Sequence, residues 1–239
     1  MNAPQKIGAF FDLDGTLLAP PSLEWRFIGY LMERDEIRTV NVARWMAQSA
    51  RAFLSKGHRA VLANKYYLAG IQESVVGEWG KTIAPGSLPL LGEGIKRMRW
   101  HLESGHRVVL ITGTLAPLAR AMARHLPRGV EIRATELEVE NGRFSGRLSG
   151  AHVSFDEKVR VMRGEADGSG LDLSKSFAYG NEMSDAAMLE VVGNAAAVNA
   201  SWRLACKARR RGWTVLRWSA SHAGKKRPLD AALAPREVR

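Results

Sequence analysis

Apolar positions along this chain alternate between two periods. Ile7-Gly8-Ala9-Phe10-Phe11 is a continuous apolar run of strand length, the pattern of a strand covered on both faces. Behind the breaker Pro20-Pro21 the period becomes helical. Ser22 is the N-cap candidate, followed by Leu23, Phe27 and Leu31 with Trp25, Ile28 and Met32 beside them, a wide apolar face. Val42, Trp45, Met46, Ala50 and Phe53 recur at helical spacing over 39–55, and further helices are predicted near 58–69 and 71–80. The tryptophans and Phe53 are read as the core of this unit. No strand pattern interrupts it and Pro85-Gly86 marks its end. Residues 19–85 are therefore predicted to be an inserted all-helical cap.

From Leu91 the periods alternate. Leu91, Ile95, Met98 and Leu102 share one helical face, and Ser104-Gly105-His106 ends that helix. Arg107 to Ile111 is a buried-strand run ending at Thr112-Gly113-Thr114. A helix from about Pro117 to His125 follows, then a hairpin over 136–140 and 143–148 about the turn signal Asn141-Gly142. A helix near 155–164 carries Lys158, and 164–174 reads as a polar loop. Ser176 to Tyr179 is a short strand running into Gly180-Asn181-Glu182-Met183-Ser184-Asp185. A helix over 185–192, a strand over 195–198, a helix over 201–211 and a last strand over 213–218 complete the pattern. Strands alternating with helices predict a Rossmann-like α/β fold, a doubly wound parallel sheet built from 1–18 and 86–220. Residues 221–239 form a basic tail expected to be disordered.

Composition leaves this picture intact. The chain has 239 residues, 46% hydrophobic and 25% charged, enough for a sizeable core. No apolar run approaches the roughly 18 residues of a membrane span, and the start of the chain lacks a signal-peptide pattern. One cysteine, Cys206, excludes an internal disulfide, so a cytoplasmic protein is expected. The net charge of +11 is concentrated at one end: Trp202 to Arg239 holds eleven Lys/Arg against two Asp/Glu. The run Lys207 to Arg211 and Lys225-Lys226-Arg227 are read as solvated faces, contact with nucleic acid or anionic lipid being the alternative. The oligomeric state is not encoded in these periods.

Charge placement inside the pattern changes it more. Asp12 and Asp14 stand where the first strand ends. Two such carboxylates repel and are costly to desolvate without a cation between them. Gly15-Thr16 allows a sharp turn with backbone N–H groups facing an anion. Asp12 is the candidate nucleophile, able to form an acyl phosphate, and Asp14 the candidate acid and base at the leaving oxygen. Thr112 offers a hydroxyl, Gly113 an N–H that a phosphate can approach, and Lys158 a point charge. Asn181 and Asp185 could help hold Mg2+, which takes few protein ligands. Ligands of doubly wound sheets bind at the carboxyl ends of strands, where Asp12, Thr112 and Asn181 all fall.

In this order the motifs resemble the haloacid dehalogenase superfamily of phosphohydrolases. Phe10 to Leu17 resembles its first motif, Ile111-Thr112-Gly113 the second, Lys158 the third, and Tyr179 to Leu189 the fourth. The helical insert and the hairpin before the lysine resemble the subclass containing phosphoserine phosphatase. The resemblance implies a Mg2+-dependent phosphatase of small phosphorylated metabolites. Asp12 would be nucleophile and metal ligand, and Asp14 acid/base and a ligand through its carbonyl. Thr112, Gly113 and Lys158 would hold the phosphate, and Asn181 and Asp185 complete the metal site. Two departures stand out. Asn181 replaces the usual Asp, removing one negative charge and implying weaker metal binding. Pro21 stands where phosphoserine phosphatases carry a substrate-binding Glu, with Glu24 three residues on. Substrate contacts expected from the cap are Glu24, Arg26 and Arg51, with Arg44, Lys65 and Tyr66 further candidates. The rival readings are a phosphotransferase or mutase using the same intermediate, and a regulatory or binding protein that has lost turnover.

Overall fold

A computed structural model describes residues 6–83 and 86–219, without the side chains of Lys56, His58 and Arg59. The expected tail over 221–239, and the cap boundary at residue 85, lie outside the described residues. The first strand, β1 (Gly8–Phe11), leads through the loop at 12–18 into a helical segment. That segment holds α1 (Leu23–Glu33), α2 (Thr39–Lys56), α3 (His58–Leu62), a 3-10 turn over Tyr66–Leu68, and α4 (Ser74–Thr82). Then come α5 (Gly92–Glu103), β2 (Arg107–Leu115), α6 (Ala116–Met122), β3 (Glu131–Thr135) and the hairpin strands β4 (Leu137–Glu140) and β5 (Arg143–Leu148). The chain closes with α7 (Asp156–Ser169), β6 (Phe177–Gly180), α8 (Ala186–Glu190), β7 (Asn194–Val198), α9 (Trp202–Arg211) and β8 (Thr214–Leu216).

Six strands form one parallel sheet in the order β3-β2-β1-β6-β7-β8. The Rossmann-like doubly wound core is therefore as the alternating pattern required. The order reverses beside β1, so the crevice between β1 and β6 is the topological switch point. Both faces of β1 are covered, which explains its unbroken apolar run. Phe10 packs with Val109, Met162, Leu189 and Leu204 on one face, and Phe11 packs with Met98, Leu110, Leu118 and Tyr179 on the other.

Three predicted elements are corrected. The sequence pattern passes from the helix ending near His125 to the hairpin at 136 without signalling β3, in which Glu131 and Arg133 interrupt the apolar residues. This β3 is an edge strand, and its charged side chains pair with Arg107 and with Glu165 of α7. The polar stretch after 164 continues α7 instead of forming a loop. Lys158, Met162 and Ala166 are its buried face at successive i,i+4 positions, and Gly170 at φ 67° ends it in the left-handed region. The expected third helix breaks after Leu62 into the 3-10 turn. There the backbone turns to the hairpin: Gly70 N–H donates to Phe144 O, and Phe144 N–H donates to Ile71 O, at 2.8 and 2.9 Å. This helical segment is thus bonded to the β-hairpin.

The predicted cap core is also corrected. Met46 and Phe53 of α2 are exposed, while the opposite side of the helix faces inward. Asn41 Nδ2 donates to Ala69 O at 2.6 Å, Trp45 Nε1 to Asn64 O at 3.2 Å, and Asn64 Nδ2 to Trp45 O at 3.0 Å. These bonds fix which side of α2 faces in. In the basic run, Lys207 and Arg211 both pair with Glu190.

Behind the sheet His101 is fully buried, with Nε2 2.9 Å from the Tyr179 hydroxyl and Nδ1 2.8 Å from Nδ1 of His106. Burial, with His106 and Arg97 nearby, lowers its pKa to about 2. The folded chain keeps it neutral while the unfolded chain protonates it below about 6.5. The unfolded state then binds more protons, so stability is full above that pH and falls as pH drops towards 2. This group alone is expected to remove about 2 kcal/mol between pH 7 and pH 5. His101→Gln keeps a partner for Tyr179 and should flatten that part of the profile in urea unfolding at the two pH values. An unchanged pH dependence would count against it.

Candidate active site

The loop after β1 is wound on itself. Gly15 N–H donates to Leu18 O at 2.7 Å, and Leu17 and Leu18 N–H groups donate to Leu13 O. Gly15 has φ 86°, and a Cβ there would meet Asn181 Nδ2 at 2.0 Å. Only glycine fits, because the first loop and the loop after β6 pack against each other at this point.

Asp12, Lys158 and Asp185 converge from three elements. The Lys158 ammonium donates to Asp12 Oδ1 at 2.6 Å and to Asp185 Oδ1 at 2.7 Å. All three are buried, at 7%, 2% and 0% exposure, so each charge needs the others. Burial raises the Asp12 carboxyl, Asp185 adds to the rise, and Lys158 opposes it. Burial pulls Lys158 down, but the charges of Asp12 and Asp185 prevail and hold it above the ordinary lysine value. Lys158 faces inward because it lies in the first turn of α7, in line with Met162 and Ala166.

Asp14 turns the other way. Its Oδ1 accepts the Leu23 N–H at 2.8 Å and its Oδ2 accepts the Thr114 hydroxyl. The start of α1 and the end of β2 thereby fix its orientation. Burial raises its pKa, against the hydrogen bonds from Thr114 and Leu23. Thr112 is buried and its Oγ1 accepts the Thr114 N–H at 3.1 Å. Gly113 lies against the His152 ring, where a Cβ would meet Cε1 at 2.8 Å. Strand β2 runs on through these residues to Leu115 with a register shift against β3 between Thr112 and Leu115, so Thr112, Gly113 and Thr114 belong to a strand end rather than a free loop.

The second carboxylate loop is equally ordered. Asp185 Oδ2 accepts the N–H groups of Asn181 and Glu182 at 2.9 and 3.0 Å. With Oδ1 taken by Lys158, Asp185 is placed to hold the loop and the lysine. The Thr16 hydroxyl lies 3.1 Å from Asp12 Oδ2 and 3.3 Å from Asn181 Oδ1. Two oxygens from different strand ends thus converge beside one small hydroxyl. Mg2+ takes oxygen ligands and few of them from the protein. The donors suit that ion in kind, Asp12 Oδ2 and Asn181 Oδ1 both being oxygens beside Thr16, although among the described residues no three acidic side chains gather at one point.

Above the site the helical segment brings together Glu24 and Lys65, both candidates from the sequence, with Tyr67, which the sequence pattern did not single out. Glu24 on α1 receives Lys65 Nζ at 2.7 and 2.9 Å and the Tyr67 hydroxyl. Burial and the Glu24 charge raise Tyr67 well above its ordinary value. His152 lies near this cluster; burial, with Lys65 also lowering it, brings its pKa to about 4, so it is neutral near pH 7. Arg26 is elsewhere: its guanidinium donates to Pro21 O at 3.0 Å and Ala19 O at 3.2 Å, tying α1 to the connection that precedes it. Arg44 reaches the Tyr66 hydroxyl at 3.4 Å, and Arg51 is exposed on α2.

A family model, haloacid dehalogenase-like hydrolase, matches residues 9–190. The chain belongs to this family. Within it the chain is phosphoserine-phosphatase-like. It is 30% identical over 241 aligned residues to the protein named phosphoserine phosphatase SerB1 of Mycobacterium tuberculosis, covering 95% of this chain and 75% of that one. Among solved structures, a Bordetella pertussis protein of unknown function superposes with a TM-score of 0.72 at 24% identity, covering 89% of this chain and 99% of that one. A phospho-aspartyl intermediate analogue of phosphoserine phosphatase superposes with a TM-score of 0.58 at 16% identity, covering 89% and 93%. Both likenesses are of fold. This haloacid dehalogenase-like hydrolase therefore carries its acidic pair, its lysine and its second loop on a fold shared by these structural neighbours.

Proposed function

We propose that this hydrolase removes phosphate from a small phosphomonoester, with Mg2+, through an aspartyl-phosphate on Asp12. The observation that carries the reading is the buried Asp12–Lys158–Asp185 array beside an Asp14 held by separate partners. It gives one carboxylate a cationic neighbour and the other an orientation.

An Asp12 oxygen attacks phosphorus, forming the acyl phosphate as the bond to the leaving oxygen breaks. Asp14 gives its proton to that oxygen. The Asp14 carboxylate then takes a proton from water, whose oxygen attacks phosphorus and frees inorganic phosphate and Asp12. Lys158, Thr112 and the Gly113 N–H bind the phosphoryl oxygens, whose charge they offset. Asp12, the Asp14 carbonyl and Asn181 would hold Mg2+, with Asp185 ordering them. When bound, that ion offsets phosphoryl charge and helps fix the in-line geometry.

The leaving group would meet Glu24, Lys65, Tyr67 and His152 from the cap side. Glu24 already has Lys65 as its cation, so a substrate ammonium would have to compete for it. This favours a phosphorylated metabolite whose recognised group is not an amine, although the relative named above is called a phosphoserine phosphatase. The direct test is phosphate release from p-nitrophenyl phosphate. Release should require Mg2+ and stop with EDTA; metal-independent release, or none, would overturn the proposal.

Thr114 gives a finer check. Thr114→Val removes one of the two bonds that orient Asp14 and should lower kcat about ten- to a hundredfold, with KM little changed. Thr114→Ser should restore it. A general folding defect would not be rescued in this way.

A further inference from the structure

The outward face of α2 has a chemistry that the phosphatase reading does not use. Val40, Met46, Phe53 and Leu54 are 49%, 60%, 56% and 85% exposed. At about 100° per residue they fall within an arc of about 140°. The residues between them on that arc are Ala43, Ala47, Ala50 and, at the start of the helix, Thr39, and Arg44 and Arg51 line its border next to Val40. The opposite side of the helix is bonded to 64–69 through Asn41 and Trp45, so the helix cannot roll to hide its apolar arc.

Charge decides between occupants. From Ile37 to Gln72 the sequence has six Lys/Arg and no Asp/Glu; Lys65 is buried against Glu24, while Arg44 and Arg51 are exposed on α2. A symmetric contact with a second copy would set the arginines of both helices against each other with no carboxylate from this stretch between them. An anionic bilayer presents the complement of both features. Phosphate headgroups meet the arginines, and the acyl boundary receives Phe53, Leu54 and Met46. Among the described residues no helix is long and apolar enough to cross a membrane, so the attachment would be peripheral.

We propose that the cap docks on an anionic lipid surface through the outward face of α2. The test is flotation of the full chain with phosphatidylcholine vesicles and with vesicles in which about a third of the lipid is phosphatidylglycerol. Binding should appear with the anionic vesicles and weaken with salt. The double variant Phe53→Glu, Leu54→Glu should bind at least about tenfold more weakly, with phosphate release unchanged. Replacing Lys225, Lys226 and Arg227 by Ser should leave most of the binding. No binding, equal binding to neutral vesicles, or binding lost with the tail but not with the α2 variant would each overturn the proposal. So would a wild-type dimer that fails to bind vesicles and that the α2 variant dissociates, which would make this face a contact between copies.

Discussion

Asp12→Asn is expected to lower Mg2+-dependent phosphate release on the order of 10^4-fold or more, the scale on which a lost nucleophile acts. An amide nitrogen cannot attack phosphorus, and the remaining amide oxygen carries no full charge. The substitution is nearly isosteric, so the loop over 12–18 keeps its backbone bonds to Leu13 and Leu18. Lys158 loses one carboxylate but retains Asp185 at 2.7 Å, so the ammonium stays paired and the fold should persist. The same change removes the carboxylate on which a site with Asn at 181 most depends, so the Mg2+ concentration needed for the residual activity should rise. Two measurements check this: steady-state release against Mg2+, and circular dichroism to show that the chain is folded. Release within tenfold of wild type from a folded variant would exclude Asp12 as nucleophile.

The positions of this chemistry were legible because each lies beside an apolar run whose meaning is unambiguous. Phe10-Phe11 before Asp12, Val108 to Ile111 before Thr112, and Phe177 to Tyr179 before Asn181 can hardly be other than buried strands, and a doubly wound sheet brings their ends together. Lys158 is legible through its place in the order of motifs, although a lone lysine on an amphipathic helix ordinarily faces solvent; its burial follows from the i,i+4 face it shares with Met162 and Ala166. What stayed hidden depends on contacts between distant segments. Thr114 meets Asp14 across a hundred residues of chain, and Glu24 meets Lys65 across the cap. Nothing local in either stretch signals the pairing. The misreading of α2 has a related cause. Its apolar residues surround much of the helix, and period alone cannot say which arc faces in; the Asn41 and Trp45 hydrogen bonds decide it.

Lys158→Met should be the most destabilising change at the site. It leaves Asp12 and Asp185 buried beside each other without their shared ammonium. Removing one partner of such an array costs about 3–5 kcal/mol, and the loss of a phosphate contact should also abolish most activity. The stability loss has a specific origin that a merely poor side-chain fit would not share. If it comes from two unpaired carboxylates, removing one charge should recover part of it. The double variant Asp12→Asn, Lys158→Met should therefore be more stable than Lys158→Met alone, although it carries one more substitution. Mg2+ should stabilise Lys158→Met more than it stabilises the double variant, because only the former keeps the Asp12 carboxylate to receive it. Urea unfolding of the four proteins, with and without Mg2+, measures both effects. Additive losses across the cycle would mean that Lys158 does not act by balancing Asp12.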